Sequence, residues 1–289
     1  MGGLERLGSP VLRLRRLAVY LAWTVLLMPV QLFGLATRRQ WTATLPRFYH
    51  RWCCRILGLR VRRIGRPVAA GPVLFAANHV SYLDITVLGS LLPASFIAKR
   101  EVRRWPLFGW LARLQRSVFI DRQVRSTREQ RDTIAGRLAA KAALILFPEG
   151  TSGDGNRVLP FKSALFSVAE ADAPGPVTVQ PVSIAYTRLD GMPIGRRLRP
   201  LFAWYGSMAM APHLWTMLGL GTVEVVVEFH RPTTIAESGS RKKLAAYCHE
   251  RVAQGVARAL SGRRSAGAPA KADQVRRPAG ADAAARALG

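Results

Sequence analysis

From Leu59 to Leu260, short runs of continuous apolar residues alternate with helix-patterned segments, and few folds accommodate that alternation. The strand candidates are Leu59–Ile64, Val73–Ala77, Ser95–Ala98, Val118–Ile120, Ala143–Phe147, Val177–Ala185, Arg199–Trp204 and Val223–Phe229. Helical patterns fall at Asp84–Leu91, Leu107–Leu114, Ser126–Lys141, Ser163–Ala171 and Ser240–Leu260. A strand that is apolar at every position, rather than every second one, is covered on both faces. Such strands, spaced by helices, predict an α/β fold: a mixed, mostly parallel sheet covered by helices. At 289 residues the chain accommodates one such domain plus terminal additions, and it shows no internal repeat.

The first 58 residues have a different character. Leu17–Ala36 carries no charge and is long enough to cross a bilayer core, with Arg13, Arg15 and Arg16 before it and Arg38 and Arg39 after it. Those arginines, and the lack of a small-x-small cleavage site, fit a secretory signal poorly. Pro29 and Gln31 lie inside the run, so its pattern is compatible with a straight span and with a bent or re-entrant segment. Next, Trp41, Leu45, Phe48, Trp52, Ile56 and Leu59 mark one helical face, with Pro46 as the predicted helix start. Arg47, Arg51 and Arg55 recur on another face, a pattern of helices that lie in a membrane interface. Residues 1–58 therefore read as a helical membrane-docking module, 59–260 as the α/β domain, and 261–289, rich in Ala, Gly, Pro and Arg, as a disordered basic tail.

Lys and Arg number 43 against 17 Asp and Glu, a formal net charge of +26. Such a chain seeks polyanions: nucleic acid, an anionic leaflet or phosphorylated substrates. The apolar amino-terminal run and the lack of a recognition motif argue against a nucleic-acid-binding protein and for an anionic membrane surface. Three cysteines, Cys53, Cys54 and Cys248, make neither a disulfide framework nor a metal spacing, which points to a reducing compartment.

Three apolar runs end in polar clusters. Val73–Ala77 leads into Asn78-His79-Val80-Ser81-Tyr82-Leu83-Asp84, Val118–Ile120 into Asp121-Arg122, and Leu144–Phe147 into Pro148-Glu149-Gly150-Thr151-Ser152-Gly153-Asp154-Gly155. If the strands are parallel the clusters meet in one cleft, where open α/β sheets collect function. His79 with Asp84 five residues on is a candidate general base with an orienting carboxylate. That offset fits only if His79 lies in the loop before a helix and folds back over its first turn. Ser81-x-x-Asp84 also reads as a helix capping box, with Ser81 as the N-cap.

These residues resemble the 1-acyl-sn-glycerol-3-phosphate acyltransferase family of lysophospholipid acyltransferases. Its Asn-His-x-Ser-x-x-Asp block matches residues 78–84, and its apolar strand with an acidic-basic pair matches Val118–Arg122. Phe-Pro-Glu-Gly-Thr matches residues 147–151, and a strand with a proline near its middle matches Val179-Gln180-Pro181-Val182-Ser183. The resemblance implies direct acyl transfer, with no covalent acyl-enzyme, from acyl-CoA or acyl-carrier protein to a lysolipid hydroxyl. His79 would be the base and Asp84 its partner, with no cofactor and no metal. It implies substrate contacts from Asn78, Ser81, Glu149, Gly150 and Thr151, and phosphate contacts from Lys99, Arg122 and Lys162. The family's usual arginine after Phe-Pro-Glu-Gly-Thr is Ser152 here, with Arg157 the nearest replacement. The acceptor the resemblance implies is lysophosphatidate, 1-acyl-sn-glycerol-3-phosphate; that departure sets lyso-ornithine lipid beside it as the alternative, because the stretch through Phe166 is similar to a bacterial branch that includes lyso-ornithine lipid acyltransferases. A catalytically dead relative is the contrary reading, against which intact His79, Asp84 and Glu149 speak.

Gly150-Thr151-Ser152-Gly153 is not Gly-x-Ser-x-Gly, and no Gly-Lys-Ser/Thr completes a nucleotide loop. Ser207–Gly221, with Met208, Met210, Trp215 and Met217, reads as core or as the gate of an acyl-chain tunnel. The expected location is the cytoplasmic face of the inner membrane, where acyl thioesters are made.

Overall fold

The computed structural model describes residues 8–105, 108–120, 134–138, 140, 142–170 and 175–262. Asp121 and Arg122, most of the helical pattern at Ser126–Lys141, and the basic tail beyond Gly262 lie outside these residues. Eight strands form the sheet: β1 Leu59–Ile64, β2 Val73–Ala77, β3 Ser95–Lys99, β4 Val118–Ile120, β5 Ala143–Leu146, β6 Thr178–Leu189, β7 Met192–Pro193 and β8 Val223–Phe229. Their order is β1-β8-β6-β2-β5-β3-β4, with β7 on β6. Pairings are parallel except β6 with β8 and with β7, so the sheet is mixed and mostly parallel, as the continuous apolar runs predict.

β2 shows why those runs lack alternation. Val73, Phe75 and Ala77 face a core completed by Leu57, Leu83, Val87 and Leu88, whereas Leu74 and Ala76 face another built with Phe166, Leu244 and Cys248. Successive side chains point to opposite faces, so a strand covered twice has no polar position. Helix α2 (Leu45–Leu57) and helix α3 (Leu83–Leu91) cover the first face. Helix α4 (Phe108–Leu114) precedes β4, and helix α5 (Met210–Leu218) precedes β8. Helix α6 (Arg241–Leu260) covers the second face with the 3-10 segment Ser163–Glu170.

One predicted strand is wrong. Arg199–Trp204 is a 3-10 turn, Arg199–Leu201, followed by irregular chain. Pro200 has no N–H to give a ladder, and the Arg199 carbonyl accepts from Phe202 (2.9 Å) and Ala203 (3.1 Å) instead. The segment is apolar because Leu201, Phe202 and Ala203 are buried beneath the site, not because it joins the sheet.

The amino-terminal helix α1 (Pro10–Ala36) is unbroken by Pro29 and about 40 Å long at 1.5 Å per residue. Ser9 caps it, its Oγ accepting from Leu12 N (3.3 Å). Its polarity is inverted. The buried residues are Arg13, Arg16, Thr24, Gln31 and Gly34, while Val11, Leu14, Val25, Leu26 and Phe33 are exposed. The inward polar groups are tied to the body along the helix. Arg16 donates to the carbonyls of Leu218, Leu220 and Gly221 (3.2, 2.6 and 3.0 Å), Thr24 pairs with Tyr49 (2.9 Å), and Gln31 donates to Leu114 O (2.8 Å). Trp23 of α1 packs against Phe48 and Trp52 of α2, both of which are exposed.

Candidate active site

At the end of β2 the side chain of Asn78 fastens the chain to β6. Its Nδ2 donates to Ile184 O (3.0 Å) and its Oδ1 accepts from Ile184 N (2.8 Å). The next residue is held by its backbone at two points. His79 N donates to Glu149 Oε1 (2.8 Å), and His79 O accepts from Gly153 N (2.9 Å). The imidazole stacks on Phe147 at 4.1 Å between centroids, and Phe147 stacks in turn on Phe96. His79 Nδ1 lies 2.9 Å from Asp84 Oδ2, while the ring keeps 20% of its surface exposed.

Asp84 is fully buried, and every group around it is a donor. Oδ2 accepts from Val80 N (2.6 Å) and Ser81 N (2.9 Å) as well as facing His79, and Oδ1 accepts from Tyr186 OH (2.8 Å). Burial, then the charge of Asp84, push the Tyr186 phenol well above its ordinary range, so it stays a donor. A carboxylate with that surrounding requires the proton of a neutral His79 on Nδ1, leaving the lone pair on Nε2. This arrangement corrects the capping-box reading. The helix opens at Leu83 with Tyr82 as N-cap, and Ser81 Oγ is buried without a partner among the described residues. Only the reach-back half of the box exists, the bond from Ser81 N to Asp84, because the carboxylate is also turned toward His79.

Glu149 sits behind this pair, 2% exposed, with Oε2 accepting from Leu159 N (3.1 Å). Burial pushes its carboxyl up to about 8, and the two backbone N–H groups only partly oppose that. Gly150 follows with φ +76°, a conformation that favours glycine, and a Cβ there would lie 3.0 Å from Lys162 Nζ. The structure thus brings Glu149, Gly150 and Lys162 together, with exposed Thr151 next in the chain. Lys99 is exposed at the carboxyl end of β3, the same sheet edge, and Arg157 is exposed in the following loop.

Two residues escaped the sequence reading. Tyr186 carries no motif; its only signal is a hydroxyl inside an apolar strand, which must find a partner. Arg199 was absorbed into the mistaken strand. Its Nη1 donates to Asn156 Oδ1 (2.7 Å), and Asn156 bonds Asp154 through N and Nδ2 (both 3.0 Å). Burial raises the Asp154 carboxyl, but those bonds and the charges of Arg157 and Arg196 outweigh it and hold the group low. A Cβ at Gly155 would touch Val80 Cγ1 and Arg199 Cβ, so this charged cluster abuts the His79 loop. Ser152 Oγ donates to the carbonyl of Trp204, whose N–H donates to Val80 O (2.9 Å).

His79 also lines an apolar cavity of about 260 Å³. Leu17, Tyr20 and Met28 of α1, Leu111 of α4, and Met210 and Leu214 of α5 form much of its wall. The Met-Trp stretch at Ser207–Gly221 therefore contributes to this cavity through α5. Among the described residues no three His, Cys, Asp or Glu side chains are grouped to hold a metal ion.

A carboxylate-held histidine thus stands at the strand-end edge of this sheet and opens on an apolar cavity. Residues 59–185 match the family model described as Acyltransferase. The chain is 44% identical over 251 residues to the lyso-ornithine lipid O-acyltransferase of Brucella abortus (strain 2308), covering 85% of this chain and 94% of that protein. It is 34% identical over 184 residues to the 1-acyl-sn-glycerol-3-phosphate acyltransferase of Neisseria gonorrhoeae, covering 63% and 69%. Its fold is similar to the crystal structure of the 1-acyl-sn-glycerophosphate (LPA) acyltransferase PlsC from Thermotoga maritima. There the TM-score is 0.65 at 23% identity, over 88% of this chain and 97% of that one. The chain belongs to the acyltransferase family and is an enzyme of the lysophospholipid acyltransferase type.

Proposed function

We propose that this enzyme acylates the free hydroxyl of a lyso-ornithine lipid, drawing the acyl group from acyl-CoA or acyl-carrier protein. The observation that carries the chemistry is the His79–Asp84 pair at the edge of the apolar cavity. His79 Nε2 removes the proton from the acceptor hydroxyl while Asp84 stabilises the imidazolium. The oxygen attacks the thioester carbonyl, the carbon–sulfur bond breaks, and the thiolate takes the proton back from His79. Glu149 and Asn78 position His79 through its backbone, and the cavity receives the fatty chain. Gly150, Thr151 and Lys162 border the acceptor, and Lys99 contributes positive charge around it.

The choice of acceptor rests on the loop after Glu149. An ornithine head group carries both a carboxylate and an ammonium, and the loop presents Asp154 among Arg157, Arg196 and Arg199. Its likeness to lyso-ornithine lipid O-acyltransferases runs in the same direction. Lysophosphatidate is the second reading, favoured by the arginines taken without Asp154. Helix α1, with α2, is the docking module: lying along the body, it presents Val25, Leu26, Phe33, Phe48 and Trp52 to the lipid of the cytoplasmic leaflet. The test offers both lysolipids to the purified protein in anionic vesicles with labelled acyl-CoA or acyl-carrier protein. Transfer to lyso-ornithine lipid at a higher kcat/KM than to lysophosphatidate is expected. The reverse order would overturn the head-group assignment.

A further inference from the structure

A second cavity, of about 580 Å³, lies between the end of β8 and helix α6, which covers the face of the sheet turned away from α2 and α3. Tyr247, Arg251, Gln254 and Arg258 line it at steps of four, three and four, one stripe of α6. Arg231 enters from the loop after β8. Both carboxylates in its wall are already engaged. Glu228 Oε1 accepts from Arg258 Nη2 (3.0 Å), and Glu237 Oε2 accepts from Thr233 Oγ1 (3.0 Å) and Thr234 N (3.2 Å). Arg231 and Arg251 are exposed, and among the described residues neither has a carboxylate partner. Tyr247 ties the two together. Its hydroxyl donates to Arg231 O (3.1 Å), and the Arg251 guanidinium lies over its ring, 5.4 Å from the centroid. His230 is buried in the wall with Nε2 3.1 Å from Ser183 Oγ. Burial pushes its imidazole down against the pull of Glu228, so the positive charge here rests on the guanidiniums.

Like charges held in one concavity repel, and a cleft lined by one sign of charge concentrates the other. Guanidinium forks match phosphate oxygens two at a time, so a phosphate group is the anion they suit best. The volume falls within the range of about 300–1,000 Å³ usual for small-molecule sites and exceeds what an inorganic phosphate fills. Pro232 and Tyr247 bound the remainder, where the organic part of a ligand would lie. Among the described residues none lines both this cavity and the one beside His79. The apolar docking surface of α1 and α2 is on the other side of the sheet, so this cavity opens to water rather than to lipid. We propose that it is a second ligand site, which takes a soluble phosphate-bearing anion of nucleotide size and sets Arg231 and Arg251 against its phosphates.

The test titrates the full-length protein, in neutral detergent micelles, with the fluorescent N-methylanthraniloyl derivative of ADP. Binding is expected to saturate, and to be reversed by ADP and by pyrophosphate but not by adenosine. The variants Arg231→Ala and Arg251→Ala each weaken it roughly tenfold to a hundredfold, the loss expected when charged hydrogen bonds to phosphate are removed. Both side chains are exposed, so the unfolding midpoint and the rate of acyl transfer stay at the wild-type level. That comparison also separates this site from the donor site, since a probe held beside His79 would be indifferent to residues on the other face of the sheet. A second arm adds vesicles of phosphatidylglycerol, which leave the bound probe in place. Displacement by the vesicles would make a lipid head group the occupant and overturn the assignment to a soluble ligand. Lack of saturable binding at millimolar probe, displacement by adenosine as effective as by ADP, or an affinity unchanged in both variants would overturn the site itself.

Discussion

Replacing Asp84 by Asn isolates what the carboxylate's charge does. The substituted side chain would retain the local structure, because its amide oxygen takes the place of Oδ2 and accepts from Val80 N and Ser81 N. Its amide nitrogen would then face the Tyr186 hydroxyl, which accepts as readily as it donates. What is lost is the charge beside the imidazolium. At the 2.9 Å separation of His79 Nδ1 and Asp84 Oδ2, an effective dielectric of about 20 gives an interaction of about 6 kcal/mol. At 1.36 kcal/mol per factor of ten, that is about a 10⁴-fold lower rate, the size found when the aspartate of a serine-protease triad is made Asn. The assay is initial-rate acyl transfer at saturating lysolipid, beside thermal unfolding in the same detergent. The reasoning predicts that kcat falls about 10⁴-fold while KM for the acceptor and the unfolding midpoint stay close to wild type. A loss smaller than about tenfold in a folded protein would refute it and reduce Asp84 to a member of the helix start.

Tyr186→Phe removes one of the donors on Asp84 and leaves Oδ1 unpaired, so kcat falls roughly tenfold to a hundredfold with KM unchanged; an unaltered kcat would remove Tyr186 from the orienting set. Arg199→Ala raises KM for the lysolipid while kcat changes little, and a variant that instead loses kcat would place Arg199 elsewhere in the reaction. Glu149 has a pH signature. Burial lifts its carboxyl to about 8 from an ordinary value near 4.3, so the folded protein holds that proton more tightly than the unfolded chain does. Its contribution to stability is complete below about pH 4 and is lost as the pH rises through about 8. Glu149→Gln therefore shows a weaker fall in unfolding temperature between pH 5 and 9 than wild type, and parallel curves would show that Glu149 does not titrate in this range.

β1, β2, β4 and β8 have the expected bounds: β2 and β4 are uninterrupted apolar runs, whereas β1 and β8 keep apolar residues between their Arg and Glu positions. The same signal misled at Leu201–Trp204, where a buried loop is as apolar as a strand and only Pro200 argues otherwise. His79 and Asp84 were legible through their spacing, since a carboxylate five residues after a strand-end histidine meets it only across a helix start. Tyr186 and Arg199 were not, because they reach the site through β6 and the turn that follows β7, and separations of this length leave no local pattern.

The central claim is that His79 is the base of a direct acyl transfer. It is tested by His79→Ala, assayed with labelled acyl donor and lyso-ornithine lipid in vesicles that bind wild type and variant equally. The account predicts that transfer falls to background while the unfolding midpoint and vesicle binding are unchanged. Substantial transfer by a folded, vesicle-bound His79→Ala protein would contradict it.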